Sequence, residues 1–195
     1  LLGGEAGDSI TDGNNNVAVG RLAYQAGGNS NNVVIGVQAG YAANQNNAVF
    51  VGYKAGYNNT GASNVFIGGE SGINSTSGTF NVFVGPDTGY GNVTGAYNTY
   101  MGGQAGVYNT GGENTAYGYR ALGGVSGASA GGSNTSMGYQ SGYNILGGNN
   151  NSFVGKRAGF SVTSGNRNSL VGAFAGTSLT TGSFNIAIGD AAMYS

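Results

Sequence analysis

The sequence predicts an all-β fold, a parallel β-roll (β-solenoid) with 16–17-residue coils, and three observations predict it. A glycine closes a short apolar run at Gly3, Gly20, Gly36, Gly52, Gly68, Gly85, Gly102, Gly118, Gly138, Gly155, Gly172 and Gly189. Successive members of this set are 16 or 17 residues apart, except across Gly118 to Gly138, where the gap is 20. The run before each anchor glycine has the alternation and β-branched content of a strand, and apolar residues at the three- and four-residue spacing of a helical face are missing. A period this short and regular assigns one coil to each repeat.

The first element of a coil is the strand. The residue before the anchor is always apolar, as at Val19, Ile35, Ile67, Met101 and Ile188, and two places earlier it is mostly Val or Thr, as at Val33, Val65, Thr99 and Thr135. These two columns share one face of an extended strand. The residue between them points to the other face and is mostly apolar too: Phe50, Phe66, Phe83, Tyr100, Phe153 and Leu170, with Ala18, Ala116 and Ala187 in other coils. A strand apolar on both faces is buried on both. One face fills the coil. The face carrying Phe50, Phe66, Phe83, Tyr100, Phe153 and Leu170 is expected to be an interface covered by another chain, the alternative being a second sheet of the same coil.

The corners come next. Four residues before the anchor stands Asn, at Asn16, Asn32, Asn64, Asn81, Asn98, Asn114, Asn134, Asn151, Asn168 and Asn185, with Ala48 the one break. Stacked copies of Asn can form an amide ladder, and Asn also tolerates left-handed backbone, so this column is structural. Three residues after the anchor the side chain is small, and a further Gly usually follows, which marks a tight corner. A glycine-rich phosphate loop is excluded at residues 102–106, because neither a helix signal nor Lys-Ser/Thr follows. Turn signals such as Asn59-Thr60-Gly61 and Thr180-Thr181-Gly182 close a second, weaker extended segment in each coil, so two short strands and two corners are expected per coil. Residues 123–132 read as a loop inserted at one corner. The chain begins and stops in mid-repeat, which predicts one repeat domain over 1–195 that is a segment of a longer fibre or a subunit docking end to end into a filament.

Composition narrows the function. The chain has 195 residues with 42 Gly, 7% charged residues and net charge −1, so nucleic acid is not an expected partner. No apolar run approaches the length of a membrane span. With no His and no Cys, the usual proton-exchanging and nucleophilic groups are missing, and no catalytic residue, metal site or cofactor is expected. Glu70 and Asp87 share a column in neighbouring coils, and a paired-carboxylate glycosidase site is one reading of them. The other is a solvated corner, since Glu5, Lys54, Arg120 and Arg157 occupy the same column. Residues 8–14 are rich in oxygen ligands but lack the spacing of a calcium loop. Five residues after the anchor lies an aromatic column, Tyr41, Tyr57, Tyr90, Tyr143, Phe160 and Tyr194. Exposed, it offers flat faces to a host-surface sugar; half-buried, it packs under the corner, and packing is the favoured reading.

The segments Asn16-Val17-Ala18-Val19-Gly20, Asn32-Val33-Val34-Ile35-Gly36 and Asn185-Ile186-Ala187-Ile188-Gly189 resemble the Asn-Ser-Val-Ala-Ile-Gly repeats of YadA-like trimeric adhesin heads. Residues 114–122 look like repeats of tail-fibre-type proteins that end in an endosialidase-type chaperone. The resemblance covers the whole chain and implies a left-handed, homotrimeric roll displayed outside a cell or on a virion. A non-enzymatic, extracellular fibre or adhesin segment is therefore expected, with itself as partner and a host-surface glycan or protein as target. A phage tail-fibre shaft or receptor-binding segment is the nearest alternative. Binding to ice or another crystal surface is a third, because Thr60, Thr76, Thr110, Thr163 and Thr180 share one offset.

Overall fold

The computed structural model describes residues 2–26, 29–127 and 131–194. Residues 128–130 of the inserted segment, and the first and last residues on which the expectation of open ends partly rests, lie outside the described residues. Eleven strands of three residues each follow one another along the chain: β1 Val17–Val19, β2 Val33–Ile35, β3 Val49–Val51, β4 Val65–Ile67, β5 Val82–Val84, β6 Thr99–Met101, β7 Thr115–Tyr117, β8 Thr135–Met137, β9 Ser152–Val154, β10 Ser169–Val171 and β11 Ile186–Ile188. They form a single parallel sheet in sequence order. Each strand pairs with the same position of the next coil, as in Phe66↔Phe83 and Phe83↔Tyr100. At the usual spacing of about 4.8 Å the stack is about 50 Å long.

The anchor glycines are required twice over. Gly68 has φ +135°, a region closed to L side chains, and a β-carbon there would lie 2.3 Å from the carbonyl oxygen of Gly85 in the next coil. The two coils approach too closely for any side chain.

The asparagine ladder forms as expected. The Asn81 amide N–H donates to Asn64 Oδ1 at 2.8 Å, and Asn98, Asn114, Asn134, Asn151, Asn168 and Asn185 repeat the bond at 2.9–3.0 Å. The side-chain amides of Asn81 through Asn168 in this column also reach a turn carbonyl, such as Asn81 Nδ2 to Gly95 O at 2.9 Å. The left-handed residue is one place earlier than Asn, at Asn15, Asn31, Asn47, Ser63, Phe80, Tyr97 and their equivalents, with φ near +60°.

Two expectations are corrected. The second extended segment is not a strand in any coil among the described residues. Positions two and four after the anchor, for example Glu70 (φ 56°) and Gly72 (φ 59°), are both left-handed and curl the chain into consecutive turns. Backbone bonds still climb from coil to coil there, as from Thr76 N to Val93 O at 2.8 Å. The second correction concerns the faces of the strand. Phe50, Phe66, Phe83, Tyr100, Phe153 and Leu170 are not on an outer face awaiting a partner; they point into the coil and are 0% exposed in the single chain. The turns that follow each strand fold back over the middle residue, and the glycine four places after the anchor makes room for its ring: a β-carbon at Gly89 would stand 2.4 Å from Phe83. The two flanking columns therefore face outward.

Candidate functional site

The exposed side of the sheet is built from those two flanking columns. Over eleven strands they supply 22 positions, none of them charged. Every residue next to the anchor is apolar, and several of these side chains are open to solvent: Tyr117 is 56% exposed, Met137 45% and Ile188 73%, with Ile186 of the other column at 74%. Val84, Met101 and Tyr117 border a shallow hollow of about 230 Å³ on this face. The regular parallel register lines these side chains up in straight rows. An uncharged, largely apolar strip running the length of the molecule exceeds what scattered exposed hydrophobics produce, and such strips mark contact surfaces. Sequence reasoning found both columns and assigned them to the interior. Charge would have been a poor guide, because the inner column is uncharged too.

The aromatic corner is half-buried at Tyr41, Tyr57, Tyr90, Tyr143 and Phe160, and exposed at Tyr194. Tyr41 stacks on Tyr57 with ring centroids 5.0 Å apart and planes 12° from parallel, and Tyr143 stacks on Phe160 at 5.4 Å and 12°. Tyr90 lacks such a partner in its column, where Ile73 and Val107 flank it. Its neighbour is Tyr108, displaced by one position. The Tyr108 ring settles against the backbone of Gly91, where a β-carbon would come within 3.3 Å of Cδ1. Two hollows share this pair of tyrosines. One, of about 380 Å³, is bordered by Asn74, Val93 and Thr110 and by Ser126 and Gly127 from the inserted loop. The other, of about 180 Å³, is bordered by Asp87, Gln104 and Val107. Nothing in the sequence flagged Tyr108, because it stands outside the aromatic column.

Polar groups are tethered along the same corner. Arg120 Nε donates to Gln104 Oε1 at 2.6 Å, and Gln104 Nε2 makes a long contact of 3.4 Å to Asp87 Oδ2. Arg157 repeats the first bond with Gln140 at 3.0 Å. The cationic groups lie over aromatic rings: Lys54 Nζ is 5.2 Å from the Tyr53 centroid, and the Arg157 guanidinium is 5.1 Å from that of Phe160. The Tyr53 hydroxyl beside it holds the Lys54 ammonium above its ordinary range. Glu70 and Asp87 are half-exposed at stacked corner positions, and Asp8 and Asp12 are exposed. Among the described residues, no three acidic, histidine or cysteine side chains gather closely enough to hold a metal ion. No helix among them is long and apolar enough to cross a membrane.

Behind the two hollows the interior is polar. Asn92 and Asn109, next in the chain to the lining residues Gly91 and Tyr108, are buried, and among the described residues Asn92 Oδ1, Asn109 Nδ2 and the Tyr100 hydroxyl have no hydrogen-bond partner. Burial pushes the Tyr100 hydroxyl far above its ordinary value; the amides of Asn114 and Asn92 beside it stop short of hydrogen-bond geometry. In Tyr24 burial acts in the same direction, opposed by the hydrogen bond that its oxygen accepts from Asn32 Nδ2 at 2.8 Å.

Comparison with family models, with curated proteins and with solved structures returned no match.

Proposed function

We propose that this chain is a non-enzymatic rod segment of an extracellular fibre or adhesin, self-associated through the outer face of its sheet and presenting its corner side chains to a target surface. The observation that carries the reading is the outer strip: 22 stacked positions without a charge, left open to solvent in the single chain. A second copy offers the same rows at the same spacing, so one strip can interdigitate with another along its whole length. The resemblance of the Asn-Val-Ala-Val-Gly segments to trimeric adhesin heads supports three copies and display outside a cell or on a virion.

Sedimentation of the purified chain tests the assembly. A trimer is the expected species, and replacing Ile35 and Ile67 by Asp should release β-structured monomers, because the substitutions sit on the outer face and leave the core intact. A wild-type chain that sediments as a monomer at micromolar concentration rejects the reading. Crystal-surface binding finds less support. The Thr60 and Thr76 hydroxyls already donate to the carbonyls of Thr76 and Val93, at 3.2 and 3.0 Å, and Thr163 does the same to Thr180 at 3.2 Å.

A further inference from the structure

Among the described residues, the coils of β5 to β7 depart from their neighbours at one corner. At the coils of β5 to β7 the residue six after the anchor changes from Asn58 and Asn74 to Gly91, then to Tyr108, then to Gly124. The two glycines remove side chains on either side of Tyr108. A β-carbon at Gly124 would stand 3.2 Å from the Tyr108 backbone, so the ring is flanked by bare main chain in both directions. In the same stretch the coil gains its inserted loop, whose Ser126 and Gly127 border the larger hollow. Four departures from the repeat thus coincide: Gly91, Tyr108, Gly124 and the insertion.

Their joint product is a saddle. Tyr90 and Tyr108 rise between two adjacent hollows and border both. The larger is rimmed by amide and hydroxyl groups of Asn74, Thr110 and Ser126. The smaller carries the Asp87 carboxylate, which makes only a long contact to Gln104 Nε2 and keeps acceptor capacity on both oxygens. Gln104 is itself held by Arg120, so this rim is preorganised. Aromatic faces carry partial negative charge and attract polarised C–H groups. A ring apolar on its faces and rich in hydroxyls at its edge matches this combination: its face lies on a tyrosine, and its edge meets the amides and the carboxylate. Among the described residues, Asp87 is the single charged group bordering either hollow, and it disfavours an anionic ligand.

We propose that the Tyr90–Tyr108 saddle is a binding site for neutral oligosaccharides, one pyranose unit in each hollow. The inference deepens the presentation role proposed above and rests on it. Asp87 and Gln104 accept and donate to vicinal hydroxyls in the smaller hollow, and Asn74 and Thr110 do so in the larger.

The test is a titration of the intact chain, followed by NMR, with cellotetraose, maltotetraose and N-acetylchitotetraose, and with oligogalacturonate of equal length as the acidic probe. At least one neutral probe is expected to bind and the acidic one is not. Tyr90→Ala and Tyr108→Ala should each weaken binding about tenfold, and Tyr108→Phe should keep it. Gly91→Asn places a side chain against the Tyr108 ring, where a β-carbon already comes within 3.3 Å of it, and should abolish binding while the circular dichroism of the β-fold is kept. Tyr41→Ala, on the same corner far from the saddle, should leave affinity unchanged. Failure of every neutral probe, preference for the acidic one, or equal loss in Tyr41→Ala overturns the site. Sedimentation of the same samples separates the two readings: a trimer that binds no sugar rejects the saddle alone, whereas a monomer that binds sugar rejects the assembly alone.

Discussion

From β3 to β6 the inner column is a stack of rings, Phe50, Phe66, Phe83 and Tyr100, with centroids 4.8–5.2 Å apart and planes within 14° of parallel. Facing it four residues after each anchor stand Gly56, Gly72, Gly89 and Gly106, and a β-carbon on any of them would collide with the ring. At β7, beside the inserted loop, the arrangement is inverted. The inner residue is Ala116, and the facing position holds Leu122, 0% exposed, where the coils of β2 to β6 and β8 to β10 have glycine. The first coil does the same with Ala18 and Tyr24. At β8 the inner residue is Ser136, whose hydroxyl bonds the Ser141 carbonyl at 2.6 Å, while Leu122 and Phe153 from the coils on either side reach over Gly142. Either of two columns can therefore fill the interior of a coil, and at β8 the neighbouring coils fill it instead. Close packing enforces the trade, since neither a void nor an overlap is tolerated.

The largest expected effect tests the ring stack. Phe66→Ala opens a cavity between two rings with a glycine opposite and nothing to refill it, so chemical denaturation should show a loss of about 3–5 kcal/mol. A loss below about 1 kcal/mol would mean that this column is not the core.

The exchange itself is tested next. Ala116→Phe overpacks its coil and should cost about 1–3 kcal/mol. Leu122→Gly removes a buried side chain at a left-handed position (φ 52°), where glycine recovers part of the loss, leaving a cost of about 2–4 kcal/mol. The double variant recreates the Phe–Gly pairing of β3 to β5 and should recover about 2 kcal/mol or more of the summed cost. Additive losses would show that the two columns do not share one volume.

The smallest effect belongs to Tyr100, the one hydroxyl in the ring stack. Having no partner, it contributes little, and Tyr100→Phe should change stability by less than about 1 kcal/mol at neutral pH, in the stabilising direction. Its pH dependence has a definite sign. Burial holds the folded-state pKa above the ordinary 10.0. Above that pH the unfolded chain releases the proton and the folded chain keeps it, so folding stability falls as pH rises through about 10. Denaturation at pH 9 and 11 should show a smaller decline in Tyr100→Phe than in the unsubstituted chain.

Much of this architecture was legible. The anchor glycines, the strand positions, the in-register stacking and the asparagine ladder all follow from the 16–17-residue period, because each group's partner is its own counterpart one coil on. The direction of the strand faces was not. Alternation separates Phe66 from Val65 and Ile67, yet it cannot tell inside from outside when both sets are apolar. A signal did exist in the exchange of Ala18 for Tyr24 and of Ala116 for Leu122, which marks two columns as facing each other across one interior. The saddle was hidden for a different reason. Tyr108 is offset by one residue from the aromatic column, and only the bare backbone at Gly91 and Gly124 makes that offset a site.

The period, the strands and the ladder that joins them follow from the order of residues alone, since they depend on hydrogen bonds between identical positions of successive coils. Which strand face closes over the core, and where the corner opens into hollows, emerges only once the chain is packed. Both depend on how sharply the chain turns after each anchor. That curvature comes from left-handed residues as varied as Glu70, Arg157 and Phe174, whose conformation is imposed by the coils above and below them and not by their own propensities.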